Sequence, residues 1–168
     1  ILDRCLGISY SHFTFPKQVK LSGETYHCED NELKNFMELV NPEGAQVLAS
    51  YDHYNWKRYA AVTRNAYGKG TATYLGCWTG DAMLREILTD VLKDAGLWGM
   101  EQEVEFPVII KKGTNDLGKE VVYYLNYSSE VRNVVYHGTA GEELFGKVAV
   151  TDGQVLEIGA WDLKIVER

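Results

Sequence analysis

The sequence predicts an α+β chain in two parts, a mixed part built around one long helix and an all-β part behind it. Three observations carry this reading. Two β-prone runs meet at Gly68-Lys69-Gly70 and lead into an amphipathic stretch ending at Gly96. The composition turns polar at Trp98-Gly99-Met100-Glu101-Gln102-Glu103. Beyond that point alternating apolar residues and turn pairs replace helical periodicity.

The first observation is the most specific. Ala61-Val62-Thr63 and Thr71-Ala72-Thr73-Tyr74-Leu75 have strand composition, and the two glycines around Lys69 supply the positive φ of a tight reversal. Met83, Leu84, Ile87, Leu88, Val91, Leu92 and Ala95 then follow helical spacing, with Thr79 or Asp81 as N-cap and Gly96 as the stop. One face of this helix must be buried. Upstream, Asn41-Pro42-Glu43-Gly44 has the residue order of a type I turn joining two short strands. Leu33, Phe36, Met37 and Val40 fit a strand or a helical face, and the strand is preferred.

The compositional break places a boundary at residue 100, giving parts 1–100 and 101–168. In the second part Val104, Phe106, Val108 and Ile110 alternate, and Val121 to Tyr127 is dense in β-formers. Val148 to Thr151 and Gln154 to Ile158 flank Asp152-Gly153, the pair favoured in type I′ hairpins. A last strand from Trp161 to Val166 closes a small antiparallel sandwich.

Composition narrows the function. With 168 residues, 45% apolar and 12% aromatic, the chain can fill a core. The net charge is −7 and no basic cluster exceeds a pair such as Lys57-Arg58, which argues against nucleic-acid or anionic-membrane partners. No apolar run approaches a membrane helix, and no signal peptide is visible. Cys5, Cys28 and Cys77 are odd in number and far apart, as expected of reduced thiols in the cytoplasm. Asn126-Tyr127-Ser128 matches a glycosylation sequon, a short motif that is discounted. The chain opens on an apolar run at Ile1 without methionine and reads as a piece of a longer polypeptide.

Sites of chemistry are hard to find. The glycines around Lys69 lack the phosphate-loop spacing and precede a strand rather than a helix. Glu101, Glu103 and Glu105 would share one face of an extended segment, each about 7 Å from the next, but nothing nearby singles out one carboxyl for a raised pKa. His12, His27, His53 and His137 show no metal-ligand spacing, and the adjacent His27-Cys28 would point to opposite faces of a strand. Gly7-Ile8-Ser9-Tyr10-Ser11-His12 lacks the final glycine of a nucleophile elbow. No metal or cofactor is expected.

Tyr51 to Tyr59 is a polar loop carrying four large aromatics. Tyr51 and Tyr59 are expected to face the core and Tyr54 and Trp56 the solvent, where they suit a protein interface or a sugar-stacking platform.

The order of Pro42-Glu43-Gly44-Ala45-Gln46-Val47-Leu48-Ala49-Ser50-Tyr51, Ala61-Val62-Thr63-Arg64-Asn65, Tyr67-Gly68-Lys69-Gly70 and Tyr74-Leu75-Gly76 resembles the trimerisation domain of β-galactosidases of glycoside hydrolase family 42. Val122-Tyr123-Tyr124-Leu125-Asn126-Tyr127-Ser128 resembles the start of that family's small C-terminal β domain. The likeness is strongest from Pro42 to Leu97.

The resemblance implies an incomplete flavodoxin-like assembly domain followed by an antiparallel β domain. The catalytic (β/α)₈ barrel, which needs about 250 residues, would lie outside this chain with its two glutamates. It also implies a homotrimer whose galactoside is bound by that barrel, so no residue here is assigned a catalytic role. Tyr54, Trp56, Arg58 and Trp78 are the interface candidates, because Trp, Tyr and Arg are enriched in such contacts. A carbohydrate-binding module using Tyr54 and Trp56 is the alternative. A stand-alone small enzyme is disfavoured because no nucleophile, metal or phosphate signal holds up.

Overall fold

The computed structural model describes residues 2–168, and the fold is α+β with predominantly antiparallel strands. Two compact units divide after Gly96.

The first unit contains helix α1 (Leu2–Leu6), strands β1 (Ile8–Thr14), β2 (Lys20–Ser22), β3 (Lys34–Pro42), β4 (Gln46–Asp52), β5 (Ala60–Tyr67), β6 (Gly70–Leu75) and β7 (Cys77–Trp78), and helix α2 (Asp81–Asp94). The strands form one sheet in the order β1-β3-β5-β4-β2, with β6 added to β5 and β7 to β3. Every pairing described in it is antiparallel. The flavodoxin-like expectation meets here a part with no parallel pairing among the described residues: β1 to β7 follow one another through turns and loops that hold no crossover helix, and α2 comes only after the last of them.

The β5–β6 hairpin forms as expected. Tyr67 pairs with Gly70, leaving Gly68-Lys69 as a two-residue loop. Only Gly68 needs a positive φ, at +61°, which matches the type II′ pattern; Gly70 does not. The Asn41-to-Gly44 turn does join two strands, β3 and β4, but both pair with β5 and not with each other. Val19, Leu21, Met37, Leu48, Tyr51 and Val62 fill the core under α2.

The second unit contains helix α3 (Met100–Glu103) and strands β8 (Val108–Thr114), β9 (Glu120–Asn126), β10 (Arg132–Val135), β11 (Gly141–Glu143), β12 (Val148–Val150), β13 (Val155–Ile158) and β14 (Leu163–Glu167). A five-stranded sheet, β12-β11-β14-β9-β8, faces the two-stranded β10-β13 across one core. Val122 and Tyr124 from the larger sheet meet Val134, Leu156 and Ile158 from the smaller.

Two expectations for this unit need correction. Asp152-Gly153 makes a turn, closed by the Gln154 N–H on the Thr151 carbonyl at 3.1 Å. Its flanking strands do not form a hairpin, because β12 pairs with β11 and β13 with β10. Positive φ falls on Gly153 alone, at +81°, a type II pattern rather than I′. Turn chemistry sets a local reversal, whereas burial of Val150, Leu156 and Ile158 decides which neighbour each strand takes. The apolar alternation also starts too early: residues 100–103 are helical, Phe106 is exposed before a cis bond to Pro107, and the strand begins at Val108. Glu101 and Glu103 therefore lie on α3 and do not share an extended face with Glu105.

Asn126 ties the two sheets together and is buried. Its Nδ2 donates to the carbonyls of Glu130 (2.7 Å), Gly159 (2.8 Å) and Ile158 (3.3 Å). Its Oδ1 accepts from the backbone N–H (3.1 Å) and the hydroxyl (2.8 Å) of Ser128. The sequon asparagine is thus consumed as a structural bracket. Asn126→Ala strands those carbonyls in the interior and is expected to cost about 2–4 kcal/mol in urea unfolding; a loss below about 0.5 kcal/mol would count against the bracket.

Candidate assembly surface

Helix α2 organises the first unit, and both of its faces matter. Its N-cap is Gly80, with extended backbone and no side-chain cap, so neither Thr79 nor Asp81 takes that role. Thr79 is buried, and Asp81 sits in the first turn, where a carboxylate favours the helix dipole. Gly96 stops the helix at φ +67°, its N–H reaching the Lys93 carbonyl at 3.0 Å.

Toward the sheet the helix presents Met83 and Ile87, both buried, each worth about 1.5–3 kcal/mol of apolar transfer. Beside them run three carboxylates at i, i+4 and i+8. Glu86 accepts the backbone N–H groups of His27 (2.8 Å) and Cys28 (3.0 Å). Asp90 accepts from Arg64 of β5 at 2.7 Å and from the Tyr26 hydroxyl at 3.0 Å. Asp94 accepts from the Thr71 hydroxyl at 2.9 Å and lies 3.7 Å from Arg64. Arg64 also donates to Thr73 of β6 at 3.1 Å, so one guanidinium links both hairpin strands to the helix. Burial, reinforced by Asp90, pushes the Tyr26 hydroxyl well above the ordinary tyrosine range.

Away from the sheet, Leu84 and Leu88 are exposed one turn apart. The apolar stripe read from the sequence is therefore wider than the buried face.

The four interface candidates separate. Tyr54 is 81% exposed. Trp56, expected to be exposed, packs against the core and stacks on His53 at 3.9 Å between ring centroids. With Trp56 engaged in this way, Tyr54 and Trp56 do not make an open two-ring platform. The exposed Arg58 lies over the Tyr59 ring at 4.7 Å and donates to its hydroxyl at 2.6 Å. Trp78, 55% exposed, stands on β7 with its ring edge-on to Phe36 at 6.5 Å. Tyr51 and Tyr59 face the core as expected.

One surface was missed from sequence. β1 ends the sheet order, no described strand pairs with its outer edge, and Tyr10, Phe13 and the following Phe15 are exposed. It carries no Lys, Asp, Glu or Pro to guard that edge, and its one irregularity is a register shift between Tyr10 and His12. Its signal was the alternation of aromatic and small polar residues from Ser9 to Phe15.

Among the described residues no group of three His, Cys, Asp or Glu converges as metal ligands. His27 and Cys28 lie outside any strand, and their backbone serves α2 as above. Glu101 pairs with Lys112 at 2.7 Å, and that hydrogen bond holds its carboxyl below the usual range.

The most shifted cluster of the first unit is structural. The Tyr51 hydroxyl lies 2.6 Å from the Glu38 carbonyl and 3.2 Å from that of Gly76, while the Tyr74 hydroxyl donates to the Glu38 carboxylate. Burial, followed by Glu38, pushes the Cys77 thiol up to about 12.

Two outcomes follow. At pH 8 only about one Cys77 in 10⁴ is thiolate, so a disulfide reagent should modify no more than Cys5 and Cys28 until denaturant is added; rapid reaction of a third thiol would contradict this burial. Arg64→Met should destabilise the first unit by about 1–3 kcal/mol, read by thermal unfolding, with Asp90→Asn costing less because the Tyr26 bond survives.

Residues 1–98 match the family described as the β-galactosidase trimerisation domain. β-Galactosidase LacA of Lactobacillus acidophilus is 30% identical over 131 residues, 77% of this chain and 19% of that protein. β-Galactosidase BglY of Alicyclobacillus acidocaldarius is 30% identical over 138 residues, 82% of this chain and 20% of its own length. The chain therefore spans about a fifth of these relatives. The β-galactosidase structure from Bacillus circulans sp. alkalophilus aligns with a TM-score of 0.82 at 17% identity, over 99% of this chain and 25% of that one. A catalytic mutant of Gan42B, a GH42 β-galactosidase from G. stearothermophilus, aligns with a TM-score of 0.79 at 19% identity, over 99% and 24%. No (β/α)₈ barrel is formed by the described residues. With more than half of its length matched and this fold present, the chain belongs to the β-galactosidase trimerisation domain family of GH42 enzymes.

Proposed function

We propose that this chain is the noncatalytic assembly and C-terminal portion of a retaining β-galactosidase, with residues 1–100 acting in trimerisation and 101–168 as the accompanying β domain. The observation that carries the reading is the family match over residues 1–98, on a fold whose shifted titratable groups are engaged in structural contacts. The chemistry on terminal β-D-galactosides belongs to a barrel carried elsewhere in the protein, and assembly is into a cytoplasmic homotrimer. Among the described residues no helix is long and apolar enough to cross a membrane.

A closed three-fold ring needs two different, complementary patches on each copy. Tyr54 with Arg58, and Trp78 with Phe36, are the proposed contacts on this unit, since exposed aromatic and arginine side chains dominate such interfaces. Trp56 supports the first patch from beneath by holding His53.

Light scattering across a concentration series tests the role. A mass rising toward three times 19.0 kDa is expected, with Trp78→Ala and Tyr54→Ala weakening assembly by at least about tenfold. A monomer at every concentration, or turnover of a chromogenic β-galactoside by the chain alone, would sink the proposal.

A further inference from the structure

We propose that the outer face of the five-stranded sheet in the second unit is a docking face for the catalytic part of the β-galactosidase, an inference that rests on the assembly reading above. The face follows from register. Along β9, Val122, Tyr124 and Asn126 point into the sandwich and are buried, so Val121, Tyr123 and Leu125 take the outer face, where Val121 is buried, Leu125 half-buried and Tyr123 exposed; the exposed Tyr127 follows just past the strand. Ile109 and Leu125 are partners across β8–β9, and Leu163 and Leu125 across β14–β9, which makes one aliphatic row. Ile165 stands beside Tyr123 in the next row. Just past the strand ends, the Trp161 N–H donates to the Ser128 carbonyl at 2.9 Å, bringing the turn that carries Trp161 to the same end of the sheet as Tyr127.

Antiparallel sandwiches ordinarily turn polar side chains outward, so aliphatic rows on both faces mark a sheet covered twice. Tyr127 is 48% and Trp161 70% exposed. Trp161 is also held at φ +53°, a left-handed backbone unfavourable for a bulky residue. Charge lies toward the rim, at Lys111 and at Glu142 opposite Glu167, the anatomy of a protein contact. A sugar platform would need hydrogen-bonding side chains beside the rings, whereas the row next to Tyr127 is aliphatic.

The extent of the family and the length of its solved members point to the occupant. The trimerisation match ends at residue 98, ahead of this sheet, so the face lies off the self-assembly segment. Solved β-galactosidases carry a unit like this one together with roughly three times as much further polypeptide.

Hydroxyl-radical footprinting with mass spectrometry decides the matter. In the 168-residue chain, Trp161 and Tyr127 are expected to react freely at every protein concentration, with or without lactose. In a chimera of LacA whose matching segment is replaced by this chain, both are expected to be protected several-fold. Equal reactivity in the chimera overturns the proposal. So does concentration-dependent protection of the chain alone, which would mean a second copy, or protection by lactose, which would mean a sugar site.

As a second measurement, Tyr127→Glu and Trp161→Glu should leave the unfolding midpoint of the isolated chain unmoved. A large drop would mean that the chain covers this face itself, and would overturn the proposal. Turnover and oligomeric state of the chimera report separately on the assembly role.

Discussion

The Arg64 guanidinium is the contact on which the first unit depends most. It reaches Thr73 on its own hairpin and both Asp90 and Asp94 on α2, from a side chain only 15% exposed. A charge withdrawn that far from water is tolerable only if its partners are fixed. Those partners sit on the same helix flank as Met83 and Ile87, so burial and pairing demand one rotation of α2 about its axis. Glu86 extends the constraint by holding the backbone at His27 and Cys28.

Once that flank is committed inward, Leu84 and Leu88 have nowhere to go but outward. The same logic governs the sheet. β3, β4 and β5 are spent on the core, and β1 is left at the margin with exposed aromatics and an edge free of charged side chains and proline. The second unit repeats the theme with Asn126 in place of Arg64: one buried polar side chain satisfies five groups and ties β9 to the loop after β13. Apolar residues beyond what each core absorbs are then displayed on surfaces. This suits a polypeptide whose relatives are several times its length.

Much of the local structure was legible in the sequence. The Gly68-Lys69 reversal, the helix and its stop at Gly96, and the inward Tyr51 and Tyr59 were all readable, because glycine placement and apolar spacing act over a few residues. The candidate surface was less legible. Tyr54 and Trp78 are exposed, but Trp56 is not free, since its neighbour His53 supplies a stacking partner that no periodicity announces. The β1 edge escaped notice because edge position depends on sheet order, which alternation does not encode.

Asp152-Gly153 marks the boundary between the two kinds of information. By itself the sequence determined that the chain reverses there, that strands flank the reversal, and that the chain carries the signature of its family. Only the tertiary structure decided that those strands part to β11 and β10, that Glu101 turns onto a helix to meet Lys112, and which apolar side chains stay at the surface. Turns and periodicity arise from neighbouring residues, whereas strand partners and exposed faces are set by burying the largest apolar area among elements distant in sequence.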